Sequence, residues 1–519
     1  MSSHRQTETS TILRKSPAPD EVVVSEKAEL SPQVSNHLSD AGNQSQEHYK
    51  SRLSPFRYKL RSMLLPAIRA ETKVLNSLQS SLRHPLLDFY FAWTANLASH
   101  TFYVLMLPPP IWFGAGKLCR DLIHVLGFGI YLSGGLKDYF CLPRPRSPPL
   151  HRITMSSYTT QEYGFPSSHS ANATAVSLIL FSKLVEIRSS LSAATFYGLL
   201  AVLSLYYISL IFGRLYCGMH GYLDIITGSL IGVFCFSFRY WYGDWFDNLM
   251  FDNSLNVWIT PVLIIAGYLY LIHIHSEPID DCPCFDDSVS FIGVLMGIDL
   301  SHYVAHKSSY FTSRNEFQDP IMIHFNYAEL GPVKSILRFV VGVTLVVIWK
   351  SISKPVVFTI LPPIYKFVGI SFPRRNYIAT ASTTKSNRQI RSASISNVEN
   401  NIGDLNNLIK GITDHSKRDE MGPETEIDYY AILDYNEDKY KNKNRKKNKR
   451  KNNRIDKEKV SDISENEDVE QQLQSFLNKS QVFKPRYDVE TIGRTLVYAG
   501  VSTTAFWGFS FVSELLNLA

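Results

Sequence analysis

Residues 193–240 read AATFYGLLAVLSLYYISLIFGRLYCGMHGYLDIITGSLIGVFCFSFRY, and this pattern indicates the architecture of the chain. Two apolar runs, Ala193–Phe212 and Tyr222–Tyr240, flank a short connection that carries charged and imidazole side chains. A helix needs about 17–25 mostly apolar residues to cross the hydrocarbon core of a bilayer. The stretch therefore predicts two membrane-spanning helices with a polar turn at the membrane–water boundary.

Similar apolar runs occur along most of the chain. One of them, Phe291–His306, is weak because it is short and carries Asp299 and His302, and Pro108–Pro110 breaks or ends the first run. We predict an all-α fold, a polytopic membrane helix bundle of about 8–10 spans with long disordered polar segments. The further runs are Leu86–Leu107, Leu122–Phe140, Ala171–Ile187, Val257–Ile274, Phe291–His306, Ile336–Ile352, Val356–Phe372 and Thr491–Leu515.

Two parts of the chain are polar and poor in aromatic residues, which is typical of disorder. They divide the chain into a disordered tail at 1–48, a membrane-embedded domain at 49–372 with its motifs within 85–245, a disordered polar and basic insert at 373–487, and a last span at 488–519. The net charge is +6, and much of the positive charge lies in Lys439–Arg454. This run fits a solvated tract, a segment attracted to anionic lipid or a targeting signal. Nothing around it resembles a nucleic-acid-binding fold, so no nucleic-acid partner is expected.

Six cysteines in 519 residues do not form a disulfide scaffold. Cys282 and Cys284 form a CxC pair in the acidic segment Asp280–Asp287. A metal would need more ligands at suitable spacing, so no metal is expected there. The two thiols can be oxidised if this segment faces an oxidising lumen.

Three short motifs lie at the ends of apolar runs: KDYFCLPRP at 137–145, PSSH at 166–169 and GRLYCGMHGYLD at 213–224. The candidate site residues among them supply three cations, two imidazoles, two serine hydroxyls and one carboxylate. Each part alone has a structural explanation, since cations mark helix ends at the membrane boundary and serines cap helices. The combination suits binding of a tetrahedral phosphate and cleavage of its ester without a metal, and the apolar setting indicates a lipid phosphate.

The third motif is the most specific, because His220 and Asp224 are four residues apart. They share one face if a single helix includes both. A carboxylate on one ring nitrogen fixes the tautomer and leaves the other nitrogen free to attack. An ionisable pair at the end of a membrane helix is itself a functional hypothesis.

The three motifs resemble the phosphatidic-acid phosphatase type 2 superfamily, also called lipid phosphate phosphatases, whose pattern is Lys-x6-Arg-Pro, Pro-Ser-Gly-His and Ser-Arg-x5-His-x3-Asp. All three occur here in order and with the right internal spacing, although Ser168 replaces the glycine of the second motif and Gly213 replaces the serine of the third. The segments at 137–150, 163–170, 216–228 and 87–107 look like fungal sphingoid-base-phosphate phosphatases.

The resemblance implies roles for the motif residues. Lys137, Arg144 and Arg214 would hold the phosphate oxygens, with hydrogen bonds from Ser167 and from the backbone at Ser168. These cations would do what a metal does elsewhere, so the resemblance implies neither a cofactor nor a Mg²⁺ ion.

The catalytic roles implied by the resemblance fall on three side chains. His220 would attack phosphorus and form a phosphohistidine, and Asp224 would orient its ring. His169 would protonate the leaving alkoxide and then activate the hydrolytic water.

The expected activity is hydrolysis of sphingoid-base phosphates, such as dihydrosphingosine or phytosphingosine phosphate, to the free base and phosphate. One alternative is a broader lipid phosphatase for phosphatidic acid or an isoprenoid diphosphate. The other is a membrane transporter or scaffold without catalysis. The resemblance also implies an endoplasmic reticulum protein whose site lies near the lumenal face.

The count of spans adds a prediction about topology. Counted onward from the third motif, the spans place the basic insert in the cytosol and the motif loops in the lumen, in agreement with the positive-inside bias. Counted backward, they place the N-terminus in the lumen, which conflicts with the basic flank Arg57–Lys73. That flank also mixes basic and apolar residues, as in a helix on the membrane surface. Two sequons, Asn43-Gln44-Ser45 and Asn478-Lys479-Ser480, allow a test.

Overall fold

The computed structural model describes residues 41–44, 46–147, 149–155, 162–251, 257–280, 282–308, 323–368 and 486–518. Within these ranges the regular structure is helical and no strand occurs, which confirms the all-α prediction. Most of the predicted N-terminal tail, nearly all of the predicted insert and the basic run Lys439–Arg454 lie outside the described residues.

The described helices follow one another along the chain. In chain order they are α1 (Gln46–Arg52), α2 (Pro55–Leu82), α3 (Pro85–Ala95), α4 (His100–Met106), α5 (Pro109–Trp112), α6 (Gly116–Phe140), α7 (Ser168–Glu186), α8 (Ala193–Tyr216), α9 (Tyr222–Phe251), α10 (Ile259–Ile274), α11 (Cys284–Lys307), α12 (Tyr327–Phe367), α13 (Val489–Thr503) and α14 (Phe509–Leu515), with a π-helical segment at Thr504–Gly508 between the last two.

Five of the described helical segments are long and apolar enough to cross a membrane. Large apolar side chains such as Leu205, Val262 and Ile336 remain exposed on the outer helices, which suits contact with lipid. Two shorter apolar helices lie at Phe102–Trp112 and Ile259–Ile274. The five are Ala193–Tyr216, Tyr222–Leu249, Cys284–Lys307, Tyr327–Tyr365 and Val489–Leu515.

The first predicted span, Leu86–Leu107, is not one helix. It is divided into α3, a 3₁₀ turn at Asn96–Ala98 and α4. The hydroxyl of Ser99 accepts a hydrogen bond from the Phe102 amide at 3.2 Å and caps α4. Polar residues in the middle of the run thus start a second helix, and the break lies before Pro108 rather than at it.

Helix α12 replaces two predicted spans, Ile336–Ile352 and Val356–Phe372. Pro355 lies between the two predicted spans but inside the helix, and so do Pro362 and Pro363. Proline is tolerated within membrane helices because neighbouring groups satisfy the freed carbonyls.

The centre of the bundle is packed closely around α6, α7, α9 and α11. A Cβ atom on Gly228 or on Gly232 would collide with the backbone of α7 or of the residue before it. Glycine at these positions lets α9 approach α7 backbone to backbone, as small residues do in membrane helix pairs. This contact fixes the start of α7 against the start of α9, where the second and third motifs lie.

All three motifs lie at one end of the bundle, which we call the motif side. Helix α2 lies across it. Arg57 Nη2 donates to the Asp138 carbonyl at 2.8 Å, and Gln79 Nε2 donates to the Tyr216 carbonyl at 2.9 Å. The Leu223 amide donates to Glu71 Oε1 at 3.0 Å. The predicted surface helix is therefore packed on the motif loops, and the N-terminal segment is on the motif side.

The residues that flank the 369–485 segment also lie on the motif side. The Tyr365 hydroxyl donates to the Tyr487 carbonyl at 2.9 Å, and Arg486 Nη1 donates to the His275 carbonyl at 2.6 Å. His275 lies 4.0 Å from Asp138, next to the first motif. At the opposite end, Arg338 of α12 donates to the Trp112 carbonyl at 2.5 Å. Helix α12 thus brings the flanks of the insert to the motif side, whereas the insert itself lies outside the described residues, so its predicted position opposite the motif loops stays a prediction.

Candidate active site

The first motif lies where α6 ends. Cys141 has a left-handed backbone (φ 53°) and its amide donates to the Lys137 carbonyl at 2.9 Å, which terminates the helix. Lys137 is only 2% exposed. Beyond the turn Arg144 is buried, and its Nη1 donates to the Met219 carbonyl at 3.0 Å. Burial lowers the pKa of Arg144 to about 10, so it remains a cation at neutral pH. Arg144 thereby ties the first motif to the third.

The second motif starts α7. Ser167 is the cap of the helix, since its hydroxyl accepts from the Ser170 amide at 3.3 Å. Its own amide donates to the Asp224 carbonyl at 3.0 Å. The Ser133 hydroxyl donates to the Ser168 hydroxyl at 3.0 Å. The cap exposes the free amides of the first turn, and it places His169 within that turn.

The third motif connects α8 to α9. Helix α9 begins at Tyr222, so the expected shared helix face does not arise, because His220 precedes the helix. The two side chains meet nonetheless, with His220 Nδ1 at 3.5 Å from Asp224 Oδ2. The Gly221 amide donates to the same carboxylate oxygen at 2.9 Å and holds it in place. Contacts of this kind are often long without substrate.

His220 is 1% exposed and lies between the carboxylate and a guanidinium. Arg144 Nη1 donates to His220 Nε2 at 3.0 Å. Burial, followed by the charges of Arg144, Lys137, His169 and Arg214, holds the pKa of His220 well below its usual range. The ring is therefore neutral, with Nδ1–H toward Asp224 and a lone pair on Nε2.

Lys137 and His169 line a small polar cavity. Arg144 and His220 lie directly beyond it, because the Glu162 carboxylate contacts Lys137 Nζ and lies 3.4 Å from Arg144 Nη2. The structure thus brings Lys137, Arg144, His169, His220 and Asp224 into one neighbourhood. Arg214 is buried in the last turn of α8, where its charge acts on His220.

The departure at Gly213 has a structural reason. A Cβ atom there would lie 3.0 Å from Cδ1 of Phe91, so the ring of Phe91 packs directly on this glycine. The hydroxyl that other family members carry at this position is replaced by a contact between α3 and α8. Ser168, the other departure, uses its hydroxyl to contact α6.

Sequence reasoning missed two carboxylates of the cavity, Glu162 and Asp287. Glu162 directly precedes the Tyr163–Ser170 segment, which was the only signal for it. Asp287 was assigned to an acidic loop, but it lies in the first turn of α11. In that turn Cys284 is joined to Cys282 by a disulfide, so the pair offers no thiolate ligands in this form.

The comparisons with known proteins agree with this geometry. Residues 119–247 match the PAP2 superfamily. The chain is 43% identical over 343 residues to dihydrosphingosine 1-phosphate phosphatase YSR3 of Saccharomyces cerevisiae, a match that covers 66% of this chain and 81% of the relative. A dihydrosphingosine 1-phosphate phosphatase of Schizosaccharomyces pombe is 38% identical over 359 residues, which cover 69% of this chain and 82% of that protein.

A more distant relative occurs outside the fungi. Sphingosine-1-phosphate phosphatase 2 of Homo sapiens is 24% identical over 286 residues, covering 54% of this chain and 68% of that protein. No solved structure matches the chain. Similarity to the two yeast proteins spans most of their length, and the apolar helices indicate a multi-pass membrane protein. The chain therefore belongs to the PAP2 superfamily and is a membrane-embedded phosphatase.

Proposed function

We propose that the protein hydrolyses sphingoid-base phosphates through a phosphohistidine intermediate on His220. The observation that carries the proposal is the setting of His220, a neutral ring with Nδ1 toward Asp224 and Nε2 beside a cation. This arrangement leaves the nucleophilic lone pair next to the charge that would hold a phosphate.

Lys137, Arg144 and Arg214 would neutralise the phosphate oxygens, with the Ser167 hydroxyl and the Ser168 amide as further donors. Glu162 now lies against two of these cations, and an entering phosphate would replace its carboxylate. The cations are positioned before substrate arrives, because Arg144 is anchored to the carbonyls of Glu162 and Met219. Such preorganised charge stabilises a transition state without reorganisation.

The reaction would proceed in two steps. His220 Nε2 forms a bond to phosphorus while the bond from phosphorus to the lipid oxygen breaks, and His169 gives its proton to the leaving alkoxide. His169 then accepts a proton from water as the water attacks phosphorus. The bond from phosphorus to Nε2 breaks, and inorganic phosphate leaves. His169 suits both roles because it lines the cavity rather than being enclosed.

The choice of substrate is supported by the printed names of the yeast relatives and by a second cavity. This cavity is apolar and shares Tyr103 with the polar one. It suits the hydrocarbon chain of a single-chain lipid. A two-chain phosphatidic acid would have to place its second chain elsewhere.

The proposed domain boundaries are those of the sequence, with the phosphatase domain at 49–372 closed by the last span at 488–519. The proposed location is the endoplasmic reticulum membrane, with the motif side in the lumen. The disulfide between Cys282 and Cys284 supports this orientation, because an oxidising lumen permits it.

Phosphate release by the purified protein in EDTA tests the proposal. The panel contains phytosphingosine phosphate, dihydrosphingosine phosphate, phosphatidic acid and an isoprenoid diphosphate, each in mixed micelles. The expected result is faster turnover of the two sphingoid-base phosphates and no requirement for Mg²⁺. Equal or faster turnover of phosphatidic acid would assign a broader lipid phosphatase. Absence of release from every lipid would favour the transporter or scaffold.

A further inference from the structure

The polar cavity combines groups of opposite charge. Lys137 and His169 belong to the proposed phosphate site, whereas Asp287 comes from α11 and is only 6% exposed. Asp287 lies outside residues 119–247, the part of the chain that matches the superfamily. A carboxylate at this place weakens the attraction of the cavity for phosphate. Its role is therefore either to balance the charge of the packed cations or to bind a positively charged part of the substrate.

Helix α11 connects this carboxylate to the apolar cavity. Asp287 is followed at intervals of four, three and four residues by Phe291, Val294 and Ile298, which place all four on one face of the helix. The last three line the apolar cavity. Tyr103 lines both cavities, and its ring lies 6.3 Å from that of Phe291. One face of α11 thus leads from a charged end to an apolar channel.

A sphingoid-base phosphate has the same order of groups. Its ammonium is on the carbon next to the one that bears the phosphate, and its single chain extends away from both. A buried carboxylate beside the phosphate site can pair with that ammonium, and this charge-assisted contact is lost with an analogue that lacks the amine.

We propose that Asp287 binds the ammonium group of the substrate and thereby selects amino lipid phosphates, while the adjoining apolar cavity takes the chain. Glu162 is the weaker candidate, because it already bridges Lys137 and Arg144 within the phosphate site. This inference rests on the proposed function and names the residue that determines its specificity.

The test compares two substrates, phytosphingosine phosphate and octadecyl phosphate, which share a single chain and a phosphate but differ in the amine and in the two hydroxyls of the base. The wild-type protein should prefer the amino substrate. Asp287→Asn should lower kcat/KM for that substrate by about 10- to 100-fold, mainly through KM, because a charge-assisted hydrogen bond is lost. Its kcat/KM for octadecyl phosphate should not fall, because the amide removes a negative charge that opposes phosphate binding. Asp287→Glu should restore part of the preference.

Asp286→Asn is the matched control, since Asp286 lies in the same turn but faces Arg494, at 3.7 Å. It should keep the wild-type preference. Equal losses on both substrates in Asp287→Asn would show a structural role and overturn the inference, and so would an unchanged preference or a wild-type protein without one. Failure of the wild type on phytosphingosine phosphate itself would instead overturn the proposed function.

Discussion

At the scale of single residues, the two histidines have different surroundings and should give different phenotypes. His220 is enclosed between Asp224 and Arg144, whereas His169 lines the cavity. His220→Ala should abolish turnover and any covalent phosphoenzyme. An aryl phosphate has a good leaving group and needs little protonation, so His169→Ala should still phosphorylate His220 and then stall.

The measurement is the radioactive label retained after a short incubation with aryl phosphate, which should be acid-labile, base-stable and located on His220. Asp224→Asn, which keeps the shape but removes the orienting charge, should slow the first step by about 10²- to 10⁴-fold. Near-normal turnover in His220→Ala, or label on His169 in the wild type, would show that the roles are assigned wrongly.

Glu162 leads to a second prediction, because its carboxylate contacts the cations that must bind phosphate. Glu162→Gln should strengthen inhibition by inorganic phosphate, lowering its Ki about 10-fold, since the product no longer competes with a carboxylate. Glu186→Gln serves as control, because Glu186 is exposed and pairs with Lys183 at 2.7 Å. Weaker inhibition in Glu162→Gln would mean that Glu162 supports phosphate binding.

At the scale of helices, α2 holds the motif loops together. Gln79 is buried, and its amide nitrogen donates to the carbonyls of His151 and Tyr216 while its oxygen accepts from the His151 amide at 2.8 Å. Gln79→Ala should lower the free energy of unfolding by about 1–3 kcal/mol, because buried backbone groups lose their partner.

The measurement is the Tm of the protein in detergent, with Ser80→Ala as control, since Ser80 is exposed on the same helix. Gln79→Ala should also reduce turnover at temperatures well below Tm, because Tyr216 ends the helix that carries Arg214. An unchanged Tm would show that the contacts between α2 and the motif loops do not stabilise the fold.

The sequence predicted the position of the motif residues better than the path of the chain. The motif residues lie at helix ends because the apolar runs stop there, so their position followed from local pattern. The continuity of α12 did not follow from local pattern, because proline breaks helices in soluble proteins but is tolerated in membrane helices, as Pro355 is here. Asp287 could not be assigned to the cavity, because nothing local to α11 reveals that it packs against α6. The packing of α2 is a long-range effect of the same kind.

At the scale of the whole molecule, the merging of two predicted spans into α12 changes how the chain connects the two ends of the bundle. The described helices run between the two ends of the bundle, and α12 returns the chain to the motif side before the insert. The described N-terminal residues from Ala41 onward, the motif loops and the flanks of the insert thus share one end of the bundle, and the C-terminal helix ends at the other.

In this arrangement, glycosylation of Asn43 and the accessibility of the insert to trypsin should be correlated in sealed microsomes. If the motif side is lumenal, Asn43 should be open to glycosylation and the basic run Lys439–Arg454 should be protected from added trypsin. If it is cytosolic, Asn43 should carry no glycan and trypsin should cut the run. The positive-inside bias does not decide between them, because long segments translocate largely regardless of charge. A glycan on Asn43 together with cleavage of the insert would contradict the single pass of α12.

The hydrogen bond between Tyr365 and Tyr487 also bears on how this chain tolerates changes of length. The packed helices already bring the two flanks of the 369–485 segment together, so the distance between its ends is determined by the helices and not by the segment. The entropy of such closure rises only slowly, by about 0.6 kcal/mol for each doubling of loop length. Evolution can therefore lengthen, shorten or replace this segment with little effect on the catalytic bundle, and new regulatory sequence can accumulate here at small thermodynamic cost.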